Sequence, residues 1–168
     1  PGVPEELDGE GLRGDGRSLL AEAAERGYAI VSDVESLYGA AGDADRLLGL
    51  FSASHLPYVL DRRDAGLDEV PALDALTSAA LRVLSRNRRG FFLMVEAGRI
   101  DYAGHDNDAG SMLQEILELD RAVETALRFQ SDNAGTLVMV TADHGTGGFS
   151  FTYRRRDEPL EVPLASGD

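Results

Sequence analysis

The sequence predicts an α/β domain: a doubly wound, mostly parallel sheet with flanking helices. Three observations carry that reading. Residues 90–96 (GFFLMVE) and 136–142 (TLVMVTA) are uninterrupted apolar runs, the pattern of strands covered on both faces. Residues 109–129, between them, repeat apolar side chains at helical spacing, so strand, helix and strand follow one another as in a right-handed crossover. The first half also alternates short helical and strand patterns, with no internal repeat or low-complexity tract. Residues 1–168 therefore read as a single domain, within the usual range of roughly 100–200 residues.

Each element has its own local reason. Residues 1–16, rich in Gly, Pro, Asp and Glu, are expected to be loop. Residues 18–26 (SLLAEAAER) read as a short helix that Gly27 stops, and residues 28–31 (YAIV) as a short strand. Ser32 followed three residues on by Glu35 fits a capping box, which starts a helix through about Tyr38. Residues 46–51 are a second strand, and residues 52–69, with Pro57 and several Asp and Arg, read as irregular. Residues 71–86 form a helix with proline in its first turn and Leu73, Leu76, Ala80, Val83 and Leu84 as its apolar stripe. The 109–129 helix is expected to bury Met112, Ile116, Leu119, Val123 and Leu127, and to pair Glu124 with Arg128 on its outer face. Residues 133–135 end it, and residues 147–153 (GGFSFTY) read as one more strand.

Composition excludes several functions. Thirty acidic and 16 basic residues leave a net charge of −14, so nucleic acid and anionic membrane surfaces would repel the chain. All the basic residues are arginine. With no cysteine, disulfides, thiolate ligands and a cysteine nucleophile are ruled out. No apolar run approaches the roughly 18–20 residues of a membrane span, and no signal peptide is visible. The chain begins at Pro1, which reads as a processed product or a piece of something longer.

The polar residues after the two apolar runs point to a metal centre. Ligands of open α/β sheets sit beyond the carboxyl ends of the strands. The first run ends at Glu96, followed by Asp101 and His105; the second is followed by Asp143 and His144. Four residues separate Asp101 from His105, so one helical turn puts both on one side. Asp143 and His144 are adjacent and can share an ion only on a non-strand backbone, which Gly145, Gly147 and Gly148 permit. Imidazole and carboxylate without sulfur suit zinc, and an all-oxygen set suits magnesium, for which Glu96 is the candidate. Each motif is common by itself, and Asp before a loop is an ordinary turn former. The conjunction is stronger: two of the three histidines stand near a carboxylate just past an apolar run. The third, His55, reads as an ordinary surface or loop residue beside Pro57.

At these residues the sequence resembles the alkaline phosphatase family. Residues 91–105 (FFLMVEAGRIDYAGH) are similar to the family's first metal motif, and residues 136–144 (TLVMVTADH) to its second. The helix between them, with Glu118, Asp120 and Ala122, is similar too, and the clearest likeness spans residues 72–153. Glu96, five residues before Asp101, favours this family over the phosphomutases and sulfatase-like hydrolases that share the metal core.

The resemblance implies a fold, a function and a site. The fold would be an incomplete alkaline phosphatase-like core, and the activity hydrolysis of small-molecule phosphate monoesters. Glu96 would be the magnesium ligand, Asp101 and His105 would hold one zinc, and Asp143 and His144 the other, giving two zinc ions and one magnesium. Tyr102 would tune the surroundings of those ligands. A periplasmic or extracellular home, and a homodimer, are compatible with the likeness. The family's serine nucleophile sits in an Asp-Ser segment, and no Asp-Ser pair exists in this chain. Thr77-Ser-Ala-Ala80 is only an echo of it, within a helix, and Arg154-Arg-Arg156 reads as a solvated turn. No histidine follows His144 to complete the first zinc site. The expectation is a phosphatase fragment that carries metal ligands but no nucleophile and is inactive by itself, or else a non-catalytic metal-binding remnant.

Overall fold

The computed structural model describes residues 14–148. Residues 1–13, residues 149–153 of the last expected strand and the Arg154–Arg156 triplet lie outside the described residues.

Helix α1 (Leu19–Glu25) starts where Ser18 accepts the Ala21 N–H, and the chain turns away at Gly27, whose φ of +81° suits only glycine comfortably. Strand β1 (Ala29–Val31), helix α2 (Val34–Asp43) and strand β2 (Leu47–Gly49) follow. The two strands pair in parallel, with Ala29 opposite Leu47 and Val31 opposite Gly49, so α2 is the crossover of a βαβ unit. The capping box lies one residue later than the Ser32–Glu35 expectation. Asp33 accepts the Ser36 N–H at 2.8 Å, and Ser36 Oγ accepts the Asp33 N–H at 3.3 Å. Aspartate caps as well as serine, and a hydroxyl can close the box from the third position. The helix continues past Tyr38 to Asp43 because Leu37 and Ala41, four apart, both bury their side chains.

Helix α3 (Val59–Asp64) occupies part of the stretch expected to be irregular, and is followed by α4 (Leu73–Leu84), α5 (Arg99–His105) and α6 (Ala109–Asp132). A core forms where α2 and α4 close over the strand pair: Val31, Leu37, Ala41 and Ala79, ringed by Leu47, Phe51, Leu76 and Val83. Helix α4 packs against α2 on one side and α6 on the other. A helix with two neighbours has no single apolar stripe. Ala75, Thr77, Ala79 and Leu81 are therefore its buried residues, and the expected stripe of Leu73, Leu76, Ala80, Val83 and Leu84 is half-buried. Thr77 lies within α4, its hydroxyl donating to the Leu73 carbonyl at 2.7 Å.

Helix α6 departs further from its pattern. It buries Ser111, Met112, Glu115, Glu118 and Ala122, whereas Ile116 and Leu127 are exposed. Two carboxylates thus replace two of the expected apolar contacts. Their reason lies in α3 and α4, whose N-cap residues, Tyr58 and Ala72, supply no side-chain cap. Glu115 accepts the Val59 N–H at 2.6 Å, and Glu118 accepts the Leu73 N–H at 3.0 Å and an Arg62 N–H at 2.6 Å. α6 therefore caps two other helices from the side, satisfying N–H groups that each helix start leaves orphaned.

The two apolar runs of the second half form no strand ladder among the described residues. Along 91–94 and 136–139 half-buried and exposed positions alternate, the period of a strand with one covered face. Phe91 meets Phe129 of α6 edge-on at 6.0 Å, and Gln130 donates to the Thr136 carbonyl at 2.8 Å. Phe92, Met94, Leu137 and Met139 face outward, each more than three-quarters exposed. The expectation of burial on both faces is corrected here: a ladder and a second covered face both need neighbours in space.

Candidate metal centre

The five expected ligands lie on two segments that the fold brings together. The 90–96 run leads through Gly98 into α5, where Asp101 and His105 stand one turn apart. Their side chains approach to 3.5 Å, between His105 Nε2 and Asp101 Oδ2. The 136–142 run leads to Asp143 and His144, and the backbone then turns through Gly145, Thr146, Gly147 and Gly148. Gly147 and Gly148 have φ of +72° and +63°, left-handed values that strain other residues.

That turn is docked on α5. A Cβ at Gly147 would run into the Gly104 carbonyl, and one at Gly104 would lie 3.2 Å from Thr146 Cβ. Two missing side chains therefore allow a close backbone approach. It carries His144 to Asp101, with His144 Nδ1 3.8 Å from Asp101 Oδ1, while His144 Nε2 lies 3.4 Å from Asp143 Oδ2. Thr146 fills the space between the two segments: its hydroxyl is 2.6 Å from Asp101 Oδ1 and 2.9 Å from His144 Nδ1.

The result is a linked series, His105–Asp101–His144–Asp143, open to solvent on one side. Among the described residues no three carboxylate or histidine side chains converge into a ready-made cation cage. Glu96 is not drawn into the series; its carboxyl folds back over the start of α5, within 3.3 Å of where a Gly98 Cβ would sit.

A second group of side chains stands beside these expected ligands. Tyr102 OH is 2.8 Å from His55 Nε2, with the rings 4.5 Å apart. His55 is an exposed loop residue, as expected, and nothing in the local sequence signals its contact across 47 positions. Arg99 lies over the Tyr58 ring at 3.6 Å and 5.4 Å from the Tyr102 ring, a cation–π arrangement. Its Nε is buried and has no hydrogen-bond partner among the described residues. Tyr58 has its phenol pushed above the usual value, chiefly by burial.

An α/β scaffold that gathers imidazoles and carboxylates on the segments following its apolar runs defines the class of this fold. The chain belongs to the alkaline phosphatase family, whose model matches residues 2–164. It is 35% identical over 156 residues to alkaline phosphatase 3 of Bacillus subtilis, covering 90% of this chain and 32% of that protein. It is 44% identical over 149 residues to the membrane-bound alkaline phosphatase of Bombyx mori, covering 83% of this chain and 26% of the relative. Among solved structures, Thermus thermophilus alkaline phosphatase superposes with a TM-score of 0.67 at 45% identity, over 72% of this chain and 25% of that one. The enzyme of the Antarctic bacterium TAB5 gives 0.70 at 30% identity, over 86% of this chain and 41% of that one. A variant of the TAB5 enzyme has magnesium bound in its M3 site. The chain thus spans about a quarter to two-fifths of the length of these relatives. The family match extends well beyond the 72–153 stretch where the motifs are clearest. The incomplete α/β alkaline phosphatase-like fold expected from the sequence is the one observed. No helix among the described residues is long and apolar enough to cross a membrane.

Proposed function

We propose that this chain is the metal-holding part of a phosphatase that hydrolyses phosphate monoesters. The observation that supports this most is the docking of the 143–148 turn on α5, which links His105, Asp101, His144 and Asp143 in one series. The donor chemistry fits the metals. Imidazole nitrogen with carboxylate oxygen suits zinc, and a carboxylate such as Glu96 suits magnesium. Asp101 and His105 would hold one zinc, Asp143 and His144 a second, and Glu96 would contribute to a magnesium site.

Metals bound there supply positive charge for the phosphoryl oxygens and lower the pKa of water. The chain's own residues supply the rest. α5 fixes the Asp101–His105 spacing, and the glycine turn lets adjacent Asp143 and His144 both face the series. Tyr102, its hydroxyl held by His55, follows Asp101 on α5 and would tune the surroundings of the ligands. These 168 residues hold no Asp-Ser pair to supply the nucleophile, which supports the expectation that the chain by itself is inactive. Kinship supports a periplasmic or extracellular home and leaves a homodimer open.

Metal analysis tests this. The wild-type chain should retain zinc after gel filtration, and His105→Ala and His144→Ala should each lower the zinc content. If neither substitution changes it, the ligand assignment is wrong. p-Nitrophenyl phosphate turnover by the 168-residue chain, abolished by EDTA, would overturn the assignment of the nucleophile to another segment.

A further inference from the structure

Thr146 belongs to neither metal motif, yet it is the group through which the two ligand segments touch. Its hydroxyl carries a single hydrogen and can accept through its lone pairs. Asp101 Oδ1, 2.6 Å away, is an acceptor when ionised, so that hydrogen is directed to Asp101. His144 Nδ1, at 2.9 Å, must then be the donor to Thr146 Oγ1. The direct distance from His144 Nδ1 to Asp101 Oδ1, 3.8 Å, is too long for a hydrogen bond, so the link runs through the hydroxyl.

We propose that Thr146 is a positioning residue that fixes His144 in its Nδ1–H tautomer and leaves Nε2 free as the ligand nitrogen. The polarity of the chain of bonds, His144 Nδ1–H to Thr146 Oγ1–H to Asp101 Oδ1, dictates this. Nε2 is the nitrogen on the Asp143 side, 3.4 Å from Asp143 Oδ2, which is where a shared ion needs it. Metal-binding histidines generally have their second nitrogen oriented by such a donor–acceptor link, and losing it costs about 10–100-fold in metal affinity. The seat of Thr146 is specific: Gly104 beneath it leaves room for the Thr146 side chain, and Gly147 after it allows the turn to sit against the Gly104 carbonyl. The same hydroxyl holds Asp101, so one residue orients a ligand from each proposed zinc pair. The inference rests on the reading of Asp101 and His144 as ligands, but its central claim concerns the metal-free chain.

The test is nitrogen-15 NMR of the histidine rings in metal-free protein, taken where the ring signals no longer change as pH is raised. Wild type and Thr146→Ser should show His144 protonated on Nδ1. Thr146→Val, which keeps the shape and removes the link, should shift it toward the Nε2–H form. The valine variant should also bind zinc about 10–100-fold more weakly, with serine restoring affinity to within about threefold. Wild-type His144 carrying its proton on Nε2, or a valine variant with an unchanged spectrum, overturns the proposal. If the valine variant does not fold, the wild-type and serine spectra still decide the tautomer. A wild-type chain that holds the Nδ1–H tautomer but takes up no zinc refutes the ligand reading and leaves the tautomer claim standing.

Discussion

Glu118→Ala should be the most damaging single change in the helical layer. Glu118 is 4% exposed, and its carboxylate contacts Arg62 at 2.6 Å and caps α4 through the Leu73 N–H at 3.0 Å. Removing one partner of a buried ion pair leaves the other charge uncompensated, which costs about 3–5 kcal/mol. Arg62 is itself nearly enclosed, with 14% of its side chain exposed, and among the described residues it keeps the Pro71 carbonyl at 3.3 Å and the nearby charge of Glu115. The lost cap at Leu73 adds about 1 kcal/mol, and those remaining contacts offset part of the total. The expected loss is therefore about 4 kcal/mol, or roughly 8–16 °C in melting temperature for a chain of this size. Urea denaturation followed by circular dichroism measures it. Glu118→Gln, which keeps the Leu73 acceptor, should cost about half as much. Joining Arg62→Met to Glu118→Leu should be less damaging than the sum of the single losses, because neither member of the pair is left without the other. A Glu118→Ala loss under about 1 kcal/mol, or a double variant as unstable as the sum, would refute the claim that a buried, paired charge holds α6 to α3 and α4.

Two further outcomes follow from the same packing. Burial raises the Glu115 carboxyl above its ordinary 4.5, even though the Val59 N–H pulls the other way. A raised folded value means protonation favours the fold, so stability is lost as pH climbs from about 4.5 through that raised value. Glu115→Gln removes this dependence while keeping an acceptor for Val59, so its stability relative to wild type should improve as pH rises. A variant less stable than wild type by more than about 1 kcal/mol at neutral pH would contradict that. Gly147→Ala forces a Cβ into the Gly104 carbonyl at a left-handed φ, at a cost on the order of 1–3 kcal/mol of local strain. It should undock the turn and reduce zinc uptake with little change in helical circular dichroism, and unchanged uptake would show that the docking is dispensable.

What the sequence determined by itself was what repeats within a few residues. Asp101 and His105 fall on one helical turn because a spacing of four does so in any helix. Ser18 caps α1 through a bond that closes over three positions, a box of the same reach starts α2 one residue past the Ser32–Glu35 expectation, and Gly147 permits a backbone that its own lack of Cβ allows. The long helix α6 was legible from periodicity, though not which face it buries, because that depends on what stands beside it. Burial of Glu115 and Glu118 follows from helix starts more than 40 residues away. His55 meets Tyr102 across 47 positions, and Thr146 meets Asp101 across 45. The apolar runs around Phe92 and Met139 have the composition of strands, but a ladder is made by neighbours, and composition cannot supply one. Local chemistry set the candidate ligands and their spacing; the tertiary structure decided which of them meet, because a contact between distant segments exists only once the chain has closed around it.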